Sequence, residues 1–142
     1  MKILLAVDGS KQSLKAANSL VDHAGWFRDK PQVELVTVHL PVPKLPRMGL
    51  VTGRNQVARY YQEEGEAALA AAARKLESAG IAYKSRILVG PLAETIAAHA
   101  LRYGCDMICV GTHGRGAAGN FLLGSVATRL AQIARVPILL VR

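Results

Sequence analysis

Residues 106–126 read DMICVGTHGRGAAGNFLLGSV. The first six form a short apolar run, as in a strand buried on both faces. Five glycines then fall within the fourteen residues 111–124, with His113 and Arg115 among them. Each glycine is costly to order, so this concentration points to tight turns or to close approach of the backbone to a ligand. A helix starting near Gly124 and Ser125 follows, marked by Val126, Leu130 and Ile133. Its first N–H groups lack intrahelical partners and its dipole end is positive, which suits an anion.

The same alternation runs outward from this stretch. KILLAV (2–7) reads as a buried strand, and Asp8-Gly9-Ser10 as a turn in which Ser10 caps a helix. Leu14, Ala17, Val21 and Ala24 recur at helical spacing, and Gly25 ends that helix. VELVTVHL (33–40) is the second strand. Residues 41–55, PVPKLPRMGLVTGRN, hold three prolines and two glycines and read either as a functional loop or lid or as a mobile surface loop without a role. A long helix over 55–79 closes at Gly80. AYKSRILV (82–89) is the third strand, Pro91 opens a helix with Glu94 in its first turn, and that helix runs to about Tyr103. VPILLV (136–141) ends the chain as a fifth strand. The alternation predicts one α/β domain over 1–142, with a parallel sheet and helices on both faces.

In such sheets ligands bind outside the carboxyl ends of the strands, where strand order switches. Asp8 follows the first strand and the glycine-rich loop follows the fourth, so the two converge if those strands are neighbours. Gly124 lets a phosphate approach the backbone, and the Ser125 hydroxyl donates to a phosphate oxygen or reaches a phosphate-bound metal. Gly111 and Gly114 leave room over the strand end, and Arg115 adds a charge-assisted contact. Together they read as a polyphosphate cradle. The formal charge of +8 also favours polyanions, and after Asp106 the chain has no Asp or Glu while Arg115, Arg129, Arg135 and Arg142 lie there.

Familiar nucleotide motifs fail. Residues 114–119 match G-x-G-x-x-G but follow a late strand with no acidic residue downstream for a ribose. No Gly-Lys pair exists for a P-loop. A phosphorelay receiver needs paired acids after the first strand and an Asp after the third; here Asp8 stands alone and Val89-Gly90 follows the third.

Gly111-x2-Gly114-x9-Gly124-Ser125 matches the G-2x-G-9x-G-(S/T) signature of the universal stress protein family. ILLAVDGS, LVTVHL, GCDMICVGTHGRG and LLGSVATRLAQIARVPILLVR also resemble that family's segments, so the resemblance spans the chain. It implies a Rossmann-like five-stranded parallel sheet in order 3-2-1-4-5. It implies ATP with Mg²⁺ as the ligand: Asp8 and Val7 at the adenine or ribose end, and Leu40 lining the adenine pocket where the family often has Val. Gly111, His113 and Gly114 would approach ribose and phosphates, and Gly124, Ser125 and Val126 would bind phosphates. It further implies a nucleotide-dependent stress-response module, read by an unknown protein partner through the 41–55 and 111–124 loops, and a homodimer through 136–142. A slow ATPase, self-phosphorylation at Ser125 or Thr112, and a nucleotide-free interaction protein are the competing readings.

Other features read as structural. His39, on an apolar strand, reads as a satisfied core histidine, and His23 and His99 as solvated or merely packed. Trp26, Tyr60 and Tyr61 read as packing, and Glu63, Glu64 and Glu66 as a solvated helix face. Cys105 and Cys109, four apart near a strand, would lie ~13 Å apart, too far for a disulfide. No metal-ligand spacing, catalytic residue or nucleic-acid motif is seen. The N-terminal apolar run is too short for a secretory signal and no run approaches a membrane span, so a cytoplasmic location is expected.

Overall fold

The computed structural model describes residues 1–42, 53–114 and 123–142. Strands and helices alternate along them: β1 (Lys2–Ala6), α1 (Lys11–Asp22), β2 (Gln32–His39), α2 (Gly53–Ser78), β3 (Tyr83–Val89), α3 (Leu92–Arg102), β4 (Met107–Gly111), α4 (Ser125–Ile133) and β5 (Ile138–Val141). The strands form one parallel sheet in the order β3-β2-β1-β4-β5, as expected.

β1 is apolar throughout its centre because helices cover both its faces. Ile3, Leu4 and Leu5 are all fully buried. Ile3 and Leu5 pack with Leu20 of α1 and Leu76 of α2. Leu4, pointing the other way, packs with Ile96 of α3 and Leu130 of α4. Each such side chain contributes about 1.5–3 kcal/mol when fully buried.

The helix ends differ slightly from expectation. Ser10 caps α1, its hydroxyl accepting from Ser13 N–H at 3.1 Å. α1 stops at Asp22 rather than Gly25, and a short 3₁₀ turn, Ala24–Trp26, takes over. Pro91 is the cap of α3 rather than its first residue, because its carbonyl accepts the first helical bond, from Thr95 N–H at 2.9 Å. β5 pairs with β4 and forms one edge of the sheet.

One buried charge has no counterpart in the sequence reading. Glu34, in the interior of β2, is 1% exposed. Its carboxylate meets Lys2 Nζ at 3.2 Å, Arg86 Nε at 3.3 Å and His99 Nε2 at 3.4 Å. His99 is therefore not solvated. It is buried, stacked on Tyr103 with ring centroids 4.1 Å apart, and it donates from Nε2 because a carboxylate only accepts. Burial pushes the Glu34 pKa up, but hydrogen bonds from Lys2, His99 and Arg86 outweigh it and hold the group below its ordinary value. Burial pulls His99 below its ordinary value, and the Glu34 carboxylate opposes this only in part.

Both shifts act in one direction on stability. A depressed carboxylate contributes stability above its unfolded pKa and loses it as pH falls through the folded one. A histidine kept neutral in the fold lets the unfolded chain take up a proton first as pH drops below the ordinary 6.5. Stability should thus decline from about pH 6.5 downward and again below 4.5, the ordinary value for Glu34. Urea unfolding at pH 7.5 and 5.5 checks the first step, which should shrink in His99→Gln. Glu34→Ala should cost about 3 kcal/mol at neutral pH, because it strands partly buried cations.

Candidate functional site

The turn after β1 and the loop after β4 meet because β1 and β4 are paired, Ala6 opposite Val110. Val7 is buried and its N–H donates to Val36 O at 2.9 Å, the last rung toward β2. Asp8 then begins a tight turn. Its Oδ1 accepts from Ser10 N–H at 2.9 Å, and its own N–H donates to Ser13 Oγ at 3.2 Å. Gly9 adopts φ +78°, a left-handed conformation that costs glycine little. Asp8 is thus a turn residue and a cleft residue at once.

Its second carboxylate oxygen lies against the loop after β4. A β-carbon built on Gly114 would sit 2.6 Å from Asp8 Oδ2. One built on Gly111 would sit 3.0 Å from Gln12 O and 3.2 Å from His113 O. Gly114 therefore serves close approach of the β4 loop to the β1 turn, and Gly111 close approach to the first turn of α1 and within its own loop. His113 Nδ1 lies 3.1 Å from the hydroxyl of Thr112, which is itself buried.

α4 begins without a side-chain cap. Gly124 is its N-cap in an extended conformation, and Gly124 N–H donates to Thr112 O at 2.7 Å. Ser125 is the first helical residue and is exposed, so its hydroxyl does not act as the cap. In α1, by contrast, Ser10 takes up an N–H of the first turn. The α4 N-terminus is thus the one of these two that keeps its donors for another acceptor.

These pieces line a cleft of about 910 Å³ at the carboxyl ends of the strands. Val7, Asp8, Leu40, Gly111, His113, Gly114, Gly124, Ser125 and Val126 all line it. Arg115 lies outside the described residues, as do residues 43–52 of the expected lid. Among the described lining residues there is no Lys or Arg. Attraction for an anion in this part of the wall therefore comes from the α4 N-terminus, the Ser125 hydroxyl and His113.

The cleft also recruits residues read as mere packing. Tyr60 and Tyr61 of α2 and His39 at the end of β2 line it. The His39 and Tyr61 rings lie 5.6 Å apart, and those of Tyr60 and Tyr61 5.8 Å. His39 is not a satisfied core histidine: its Nε2 is buried with no hydrogen-bond partner among the described residues. Leu92 and Ile96 of α3 close the opposite wall. The clustered aromatics at 60 and 61 were the available signal in the sequence, but their distance from residue 39 hid the contact. The cysteines stay outside this chemistry, since burial pushes Cys109 up to about 12 and also raises Cys105. No group of three or more His, Cys, Asp or Glu able to hold a metal occurs among the described residues. No helix among them is long and apolar enough to cross a membrane.

A family model described as the universal stress protein family matches residues 1–142. A universal stress protein of Methanocaldococcus jannaschii, MJ0531, is 31% identical over 141 residues, covering 99% of this chain and 81% of that protein. Among solved structures, hypothetical protein MJ0577 superposes with a TM-score of 0.79 at 26% identity, covering 99% of this chain and 94% of the other. A universal stress protein solved in complex with cAMP superposes with a TM-score of 0.69 at 22% identity, covering 100% and 97%.

The glycine contacts carry a stability prediction. Gly111→Ala forces a methyl against two backbone carbonyls and should cost about 1–3 kcal/mol. The shift of its urea midpoint relative to wild type reads this directly. A midpoint unchanged from wild type would show that the backbone at Gln12 and His113 yields easily.

Proposed function

The chain belongs to the universal stress protein family, and from that premise we propose that it binds ATP with Mg²⁺ in the cleft between the ends of β1 and β4. The observation that carries this reading is the convergence of Asp8, Gly111, Gly114 and the uncapped α4 N-terminus on one cleft. The cleft has two chemically distinct ends. Leu40, Tyr60 and Tyr61 offer apolar and aromatic surface for a base. Gly124, Ser125 and Val126 offer backbone donors and a hydroxyl for phosphates. Asp8 lines the same cleft, and in this reading its carboxylate meets the ribose.

An adenine base suits the first end for a further reason. Alternate residues of β2 turn their backbone groups toward β1, as Val36 does toward Val7. β1 has ended before Leu40 is reached, so that side of Leu40 is where a base edge would pair. The neighbour solved with cAMP supports an adenine nucleotide as the class of ligand. Mg²⁺ fits as a companion of the phosphates. The Ser125 hydroxyl and the Asp8 carboxylate are hard oxygen donors on the same cleft.

In this reading the protein is a nucleotide-dependent stress-response module that a partner protein reads, and not a dedicated enzyme. Self-phosphorylation at Thr112 is disfavoured, because the residue is 8% exposed and its hydroxyl is engaged with His113. A homodimer through the β5 edge is part of the same proposal. β5 is a short apolar edge strand whose four residues are only partly buried, and a second copy would cover its open N–H and C=O groups.

Calorimetric titration of Mg·ATP into wild type and Gly114→Val tests the site. Wild type should bind and the variant should lose at least tenfold in affinity, because the valine collides with Asp8. A folded wild type that binds no adenine nucleotide overturns the reading. Light scattering at micromolar concentration tests the dimer, and a monomeric mass there would sink it.

A further inference from the structure

The rim of the cleft beyond β2 is held from outside the sheet. Pairing with β3 ends at His39 opposite Val89, where Gly90 N–H donates to His39 O at 2.9 Å. Leu40 is 62% exposed, Pro41 has no N–H, and Val42 is 44% exposed. A segment of this kind has little to fix its course. One hydroxyl does so. Tyr61, on α2, accepts from Val42 N–H at 2.7 Å and donates to Leu40 O at 3.3 Å, so a single oxygen brackets Pro41 from both sides. A phenol supplies both roles at once. Its ring lies beside His39, whose buried Nε2 is unpaired among the described residues, and beside the half-exposed Tyr60. A buried polar atom left without a partner is uncommon and calls for an explanation. Here it adjoins the same brace, at the base end of the cleft.

We propose that Tyr61 is the positioning residue for the base end of the nucleotide cleft: its hydroxyl braces the backbone of residues 40–42 against which the base lies. This rests on the nucleotide reading above. The brace fixes where the Leu40 backbone groups and the Leu40 and Val42 side chains stand before ligand arrives. Without it the rim must be ordered on binding, and that cost falls on any ligand that uses the rim. A ligand made of phosphates alone, seated at Gly124 and Ser125, would not notice. Tyr61 therefore makes affinity depend on the base.

Tyr61→Phe keeps the ring and removes only the bridging oxygen. The test titrates Mg·ATP and inorganic tripolyphosphate into wild type and Tyr61→Phe, and follows amide exchange at Val42 in both. The expected result is an ATP affinity about five- to tenfold weaker, on the scale of the hydrogen bonds lost with the hydroxyl, with tripolyphosphate binding unchanged and Val42 exchange faster. Equal losses for ATP and tripolyphosphate would mean a general structural role and overturn the proposal. ATP affinity unchanged in the variant would overturn it too, while leaving the nucleotide reading standing. A wild type that binds no ATP removes the nucleotide reading and this proposal with it.

Discussion

The pairing of β1 with β4 is the constraint on which the rest of the molecule depends. It runs from Ile3 opposite Met107 to Ala6 opposite Val110. β1 also pairs with β2, so the central strand has helices over both faces and neighbours on both edges. The connections leaving β1 and β4 then go to opposite faces: α1 packs with α2, and α4 packs with α3. Among the described residues no helix crosses the gap between them, and a crevice opens at the strand ends. A slip of one residue in this register would turn Leu4 and Leu5 to the wrong faces and separate Asp8 from Gly114. Burial energy in the core therefore fixes the geometry of a site that contains few core residues.

The two turns that meet there solve one problem in different ways. After β1 the chain must reverse and cap a helix, and Asp8, Ser10 and Ser13 use their side chains to do so. After β4 the chain must come close to that turn, and here side chains would obstruct. Gly111 and Gly114 supply the clearance, and Gly124 starts α4 with no side chain over its end. Polar side chains thus satisfy the donors of α1, while the absence of side chains leaves those of α4 to face the cleft. The glycines serve tight geometry and ligand access together.

Most of this was legible along the chain, and the failures share a cause. β1 and β4 announce themselves because burial on both faces demands unbroken apolar runs. The glycine spacing 111, 114, 124 marks the cradle because close approach is a local property of the backbone. Glu34 was invisible because its partners, Lys2, Arg86 and His99, come from three other elements. A lone Glu in VELVTVHL contradicts the strand pattern until those cations are placed around it. Tyr61 was misread for a similar reason. Its partners at Leu40 and Val42 are local in space, but the proline-rich segment separates them in sequence. The cap of α3 shifted by one residue, to Pro91, because a cap depends on which carbonyl accepts first, which composition does not specify.

The charge argument changes most once the chain is folded. The segment after Asp106 carries arginines and no acids, which reads as a cationic field around the glycine-rich loop. In space the acids return from elsewhere. Arg129 meets Glu94 of α3 at 2.8 Å, so part of that charge is already answered on the surface. Lys2, at the start of β1, and Arg86, in the middle of β3, turn to Glu34. Arg59 pairs with Glu63 one turn along α2. Exposed pairs of this kind add little stability, but each one cancels a source of long-range field. What remains at the described wall of the cleft is the α4 N-terminus, a hydroxyl and an imidazole. Such donors act within a few ångströms and depend on orientation, whereas a diffuse positive surface acts at a distance and weakens with salt. The net charge of +8 thus bears on how an anion reaches the protein, and the backbone around Gly124 bears on whether it stays.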